Sequence, residues 1–289
     1  ITVTGFDISG TVFHDVDGDA NVAEGGTLTF SGATVNLYLD DGDGVIGGGD
    51  GLVATTMTNG AGQYGFLNRA AGTYWVVVDS TTLDSGASFL GPYDASWIWA
   101  EQTYGDDAGL AGLNLGARFG GRDANVSDNA GGASPVGSEH VAGIALGGNQ
   151  AGVDFGFSFN AIVTTDDGDD VAGNRTVQGS LRQFIINSNA IDNASFGVQS
   201  AEFSIAGAGV HTIGLLDPDG FGPLQGELTI TDAVILDATT QDGFVSTPLI
   251  EIDGTLAGSN SYGLRLEADN SEIRGLIINR FTQGGIRVT

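Results

Sequence analysis

The chain has 289 residues, 49 of them glycine, and its 36 acidic against 9 basic residues leave a formal charge of −27 at pH 7. That balance lacks the basic footprint nucleic acid requires and disfavours anionic membrane surfaces, and no run of about 18 apolar residues exists to cross a bilayer. With 41% apolar residues and no cysteine, the chain can bury a sizeable core but cannot staple it, which suits either redox compartment. In chain order, Ile1–Thr4 and Phe6–Phe13 alternate with period two and predict strands. An acidic loop, Phe13–Glu24, follows. Thr34–Leu39 alternates again and leads into a second acidic loop, Asp40–Asp50. Leu52–Thr58, Gln63–Leu67 and Thr73–Val78 are further strands, parted by turn chemistry at Asn59–Gly62 and Ala70–Gly72. Short strands at this spacing with glycine turns predict a β-sandwich.

The first acidic loop sets Asp15, Asp17 and Asp19 at alternate positions, with Asn21 and Glu24 behind them. Crowded carboxylates repel unless a cation sits between them, and Ca²⁺, which takes six to eight oxygens, is the expected occupant. The loop departs from the EF-hand pattern. With Asp15 at position 1, position 6 is Ala20 instead of Gly and position 12 is Gly26 instead of Glu. In the second loop, Asp41, Asp43, Gly44 and Asp50 fall at positions 3, 5, 6 and 12 and the Val45 carbonyl at 7. Leu39 then holds position 1, so either Asp40 contributes or the site is incomplete. A hairpin with Asp-Gly turns explains the same residues without metal. Asp166, Asp167, Asp169 and Asp170 form a weaker cluster that reads as a linker.

Ile8–Asp19, Val35–Leu39, Thr58–Phe66 and Ala71–Val78 together resemble the B-type domain of serine-aspartate-repeat surface proteins, the SdrD B-like family, which is close to collagen-adhesin B domains. The resemblance implies an immunoglobulin-like sandwich with bound Ca²⁺, used as a stalk or spacer. All nine bases are arginine, so the internal Lys–Asn cross-link of sortase-type pilin domains is impossible. The domain is expected over residues 1–160, with an inserted excursion at about 79–148 before Val153–Phe157 closes it. Within the excursion, Trp97–Tyr104 predicts a strand with Trp97 and Trp99 on one face, where they would be core or a possible glycan contact. Glu139–Leu146 and Gln150–Phe159 predict strands around a polar loop at Gly120–Gly132.

Residues 161–289 have a different composition. Gly179–Ile191 predicts an amphipathic helix with Ser180 as N-cap and Leu181, Phe184, Ile185 and Ala190 as its apolar stripe. Eight apolar strands follow: Ala201–Ile205, Val210–Ile213, Glu227–Ile230, Ala233–Leu236, Leu249–Ile252, Gly263–Leu266, Ile273–Ile278 and Gly285–Val288. Gly263–Leu266 recurs 22 residues later as Gly285–Val288, and Leu228–Ile230 recurs at the same spacing as Ile250–Ile252, a period suited to a solenoid. Gly179–Ala190 and Ile273–Phe281 resemble the cap and the rungs of right-handed parallel β-helices of the pectate-lyase-like superfamily. The fold expected for the whole chain is therefore all-β, a Ca²⁺-binding sandwich followed by a capped parallel β-helix. Ile1 in place of Met suggests a mature or excised piece, and further rungs are expected beyond Thr289.

The function expected is an extracellular, structural or adhesive one: a calcium-stabilised stalk or filament subunit. Its expected partners are other copies, by strand addition or end-to-end stacking, or an extracellular polysaccharide. The alternative is a polysaccharide lyase or hydrolase, or a carbohydrate-binding protein. Pectate lyases use Ca²⁺ with an arginine base, and Arg265, Arg274, Arg280 and Arg287 lie in the rungs. His14, His140 and His211 stand in no zinc spacing, and no Gly-x-Ser-x-Gly elbow supports a serine nucleophile.

Overall fold

The computed structural model describes residues 5–22, 29–106, 113–167, 175–216 and 227–289. The chain forms two compact units. The first comprises Ile1–Ser85 and Ala100–Ser158, the second Gly86–Trp99 and Phe159–Thr289. Part of the excursion, Gly86–Trp99, thus belongs with the second unit. Among the described residues the architecture is six β-sheets with two short α-helices, a mixed fold dominated by sheet instead of a purely β one.

Unit 1 holds β1 (Phe6–His14), β2 (Thr34–Leu39), β3 (Gly51–Met57), β4 (Gln63–Arg69), β5 (Gly72–Val78), β6 (Glu101–Asp106), β7 (Leu115–Ala117), β8 (Val141–Leu146) and β9 (Phe155–Ser158). They form a sheet in the order β4-β1-β9-β6-β7 and another in the order β3-β2-β5-β8. Alternation decides which side chains go inward: Tyr64 and Phe66 on β4 are buried while their neighbours Gln63, Gly65 and Leu67 are exposed. The last strand, β9, runs parallel to β1, with Val12 opposite Phe155 and His14 opposite Phe157. Its Gly156 has a steric reason. A Cβ there would stand 2.8 Å from the Phe13 ring and 2.9 Å from Tyr104 Cβ, so the Phe13–Tyr104 ring contact at 5.8 Å needs the missing side chain.

Strand β5 is buried from Tyr74 to Val78 without alternation. A second apolar cluster explains this: Tyr38, Trp75, Val77 and Val141 are covered by Ile46 from the second acidic loop and Ala130 from the polar loop. The second acidic loop is therefore tied by a hydrophobic anchor to the sheet it flanks. The strand expected at Trp97–Tyr104 begins only at Glu101. Trp97 and Trp99 precede it, because Asn187 captures the Trp99 backbone, accepting its N–H at 3.0 Å and donating to its carbonyl at 2.9 Å.

Unit 2 holds β10 (Ala161–Ile162), α1 (Leu181–Ala190), α2 (Asn193–Phe196), β11 (Gln199–Ser200), β12 (Glu202–Phe203), β13 (His211–Gly214), β14 (Leu228–Ile230), β15 (Val234–Asp237), β16 (Ile250–Asp253), β17 (Tyr262–Leu266), β18 (Glu272–Arg274), β19 (Leu276–Asn279) and β20 (Gly284–Val288). Each strand from β13 to β17 pairs in parallel with the strand three further on, giving ladders β13-β16-β19, β14-β17-β20 and β15-β18, with β11 ahead of β15. Like residues stack in register: Ile213, Ile252 and Ile278 in one ladder, Leu228, Leu264 and Ile286 in the next.

The 22-residue recurrence is real for Leu264 and Ile286, which pair. The same spacing between Leu228 and Ile250 is coincidental, since Leu228 pairs with Leu264 and Ile250 with Leu276. The single strand expected over Ile273–Ile278 is two strands in different sheets. Gly275 breaks it at φ +73°, packed so closely on Thr239 that a side chain has no room. Helix α1 starts where expected, with Ser180 Oγ accepting the Gln183 N–H at 3.0 Å. It is not amphipathic in its surroundings, for all ten residues are buried. Its polar side chains are consumed by backbone: Asn187 by Trp99 and Phe159, Asn189 by Thr229 and Thr231, Gln183 by Trp97 and Thr176.

Candidate metal centres

Both acidic loops gather their carboxylates. Asp15, Asp17 and Asp19 each bring a carboxylate oxygen within 4.8 Å of the others, and so do Asp40, Asp41 and Asp43. Oxygens on opposite sides of a Ca²⁺ ion stand about 5 Å apart, twice the metal–oxygen bond. Both groups can therefore chelate a divalent cation.

The backbone builds the first loop around those oxygens. The Ala20 N–H donates to Asp15 Oδ1 at 3.1 Å, Asn21 N–H to Asp19 Oδ1 at 2.9 Å, and Asp19 N–H to Asp17 Oδ1 at 3.3 Å. Gly18 and Ala20 both take positive φ, +70° and +66°. Ala20 thus adopts the left-handed turn that glycine supplies at position 6 of an EF-hand, at a cost of about 1–2 kcal/mol. Asp15 is fully buried and its Oδ2 accepts a short bond from Thr103 Oγ1 on β6. Burial raises its carboxyl pKa, and the Asp19 and Asp17 charges raise it further against the Thr103 and Ala20 bonds. A bound cation reverses that balance. Thr103 lies 88 positions from Asp15, and nothing local in the sequence pointed to it. Asn21 is exposed; Glu24 lies outside the described residues.

In the second loop Asp40 takes the place that spacing had given Leu39. Its Oδ1 accepts the Gly44 N–H at 3.1 Å and its Oδ2 the Gly42 N–H at 3.0 Å. Asp41 Oδ1 accepts from Asp43 N–H and Asp43 Oδ1 from Val45 N–H. Asp50 stands outside the converging group. It is buried, and its two oxygens brace the loop by accepting the Asp41 and Gly47 N–H groups at 3.1 and 2.7 Å. Val45 is exposed at the loop tip.

Asp166 is exposed, whereas Asp167 is buried and makes a two-bond ion pair with Arg182 of α1 at 2.6 and 2.9 Å. It also accepts the Leu216 N–H at 3.1 Å. Asp167 is therefore a fastening within unit 2; Asp169 and Asp170 lie outside the described residues.

Three further buried acids in unit 1 escaped the sequence reading because no motif marks them. Burial lifts Glu101 to about 8, Glu139 to about 7 and Asp128 to about 6, helped in each of the two glutamates by the other acids. Asp128 accepts from the Ser80 N–H and hydroxyl and the Glu139 N–H. His140 Nε2 lies 4.0 Å from it, with Nδ1 on Gln102 Oε1. Burial lowers His14 to about 4, leaving it neutral against Phe30.

Arg265, Arg274, Arg280 and Arg287 are all engaged. Arg265 pairs with Glu267 at 2.6 Å, Arg274 with Asp237 at 2.9 Å, and Arg280 with Glu251 and Asp253 at 2.8 and 2.9 Å. Arg287 lies over the Tyr262 ring at 5.5 Å. The bonds Arg280 donates to Asp253 and Glu251, and their charges, raise its pKa further. Trp99 is buried with Arg175 over its ring, and Trp97 is partly buried. No family model matches the chain.

Proposed function

We propose that this chain is a calcium-stiffened structural module of a secreted or cell-surface protein, acting as a stalk, adhesive arm or filament subunit. The observation that carries the reading is the convergence of Asp15, Asp17 and Asp19, and of Asp40, Asp41 and Asp43, in two loops of one unit. Ca²⁺ is the ion proposed, since it tolerates irregular geometry and completes its shell with carbonyls and water, whereas Mg²⁺ demands a near-ideal octahedron. Each loop is joined to the sheets, one through Thr103 and β6, the other through Ile46. Binding would therefore stiffen strands and not merely order loops.

In this reading unit 1 is an immunoglobulin-like sandwich of the SdrD B-like kind, supported by its two sheets and by β9 closing beside β1. Unit 2 is a capped right-handed parallel β-helix, supported by the parallel ladders and by a helix buried against their first strands. The engaged arginines favour this structural role over lyase chemistry. The role is tested on intact cells of the producing organism. Antibody to the chain should label unpermeabilised cells or recover the protein from the medium; labelling only after lysis would overturn it.

A further inference from the structure

Unit 2 carries a cavity of about 290 Å³ between α1, β14, β17 and the segment around Tyr93. We infer that it binds a single neutral sugar residue. Its size is at the lower end of small-ligand sites, which suits one pyranose ring and not a polymer chain. Ile185, Ile186 and Leu228 give it an apolar lining suited to the C–H face of a sugar. Tyr93 lines it too, its ring set edge-on against Trp97 at 5.3 Å and its hydroxyl bonded to Asn189. The aromatic offered to a glycan is thus Tyr93, in place of the Trp97 and Trp99 pair that the sequence suggests.

The polar groups select the ligand's charge. Arg182 is already neutralised by Asp167. Arg265 stands between Glu267 at 2.6 Å and Glu227 at 4.0 Å. Two guanidinium groups against three carboxylates leave the site negative, so uronates, phosphates and sulfated sugars are repelled. A hydroxyl both donates and accepts. The outer N–H groups of the Arg265 guanidinium donate and the flanking glutamate oxygens accept, a pairing that matches two neighbouring sugar hydroxyls. The Thr229 and Thr231 positions complete the polar rim.

This inference does not rest on calcium, since both acidic loops belong to unit 1. The test is saturation-transfer NMR and calorimetry on the whole chain in EDTA. The probes are the methyl glycosides of glucose, galactose and mannose, N-acetylglucosamine, and galacturonate as the anionic control. At least one neutral sugar should bind with a Kd of about 1 mM, the strength expected of so small a ligand. Galacturonate should bind at least about tenfold more weakly. Arg265→Met and Tyr93→Ala should each weaken binding about tenfold or more. Thr231→Trp, which fills the cavity from an exposed position, should abolish binding without lowering the melting temperature. The inference is overturned if no neutral probe binds, if galacturonate binds best, or if binding survives Thr231→Trp.

Discussion

Chelation by EDTA should lower the melting temperature of the unit that bears the acidic loops by about 10 °C or more. Mass action sets the scale: a site at a hundredfold excess of ligand over Kd contributes about 2.7 kcal/mol. Two such sites contribute about 5 kcal/mol, and a domain of this size moves roughly 2–4 °C per kcal/mol. Removing the ion leaves Asp15 buried beside Asp17 and Asp19, its carboxyl pushed up by burial and by their charge. Asp15→Asn should therefore change sign with condition. It should melt below the parent in Ca²⁺, where it lacks a ligand charge, and above it in EDTA, where it lacks a repelled one.

The gap between the two conditions should also close as pH falls. Ca²⁺ needs ionised carboxylates, so its contribution is lost towards pH 4. The ion-free protein moves the other way. Glu101, Glu139 and Asp128 are raised to about 8, 7 and 6, so the folded state holds protons that the unfolded chain releases near its ordinary carboxyl range. Their contribution is complete below that range and drains as pH rises through 6 to 8. Scanning calorimetry from pH 4 to 8, with Ca²⁺ and with EDTA, reads all three effects. Superimposable traces at pH 7 would contradict the linkage.

Arg182→Met should destabilise unit 2 by about 3–5 kcal/mol, because it strands the Asp167 carboxylate in the interior. Acid should restore part of the loss, since burial already raises Asp167 and protonation removes the stranded charge. The double variant Arg182→Met with Asp167→Asn should recover most of it, for the amide oxygen still accepts the Leu216 N–H. Urea denaturation followed by circular dichroism measures both. A single variant as stable as the parent would show that the pair fastens nothing.

The acidic loops were legible because alternating aspartates and glycines state both the charge and the turn within a dozen residues. The helix start was legible through Ser180, and β4 and most of the unit 2 strands through their short apolar runs. What was not legible depends on distant partners. Spacing pointed to Asp40 in place of Leu39 but also put Asp50 among the ligands, whereas the Asp50 oxygens are taken by the Asp41 and Gly47 N–H groups. Thr103 reaches Asp15 across 88 residues. Trp97–Trp99 read as strand from aromatic propensity, yet hydrogen bonds from Asn187 override it. The same asparagine, with Gln183 and Asn189, made α1 look half-solvated when it is buried throughout. Gly275 sat inside an apolar run whose composition suits one strand, and only its crowding against Thr239 makes it a corner.

The most direct measurement is an anomalous difference map from crystals of the chain grown with Ca²⁺. One peak is expected amid Asp15, Asp17 and Asp19 and another amid Asp40, Asp41 and Asp43, each about 2.3–2.6 Å from their oxygens. Carboxylates turned apart into solvent, with no peak between them, would contradict calcium binding in these loops.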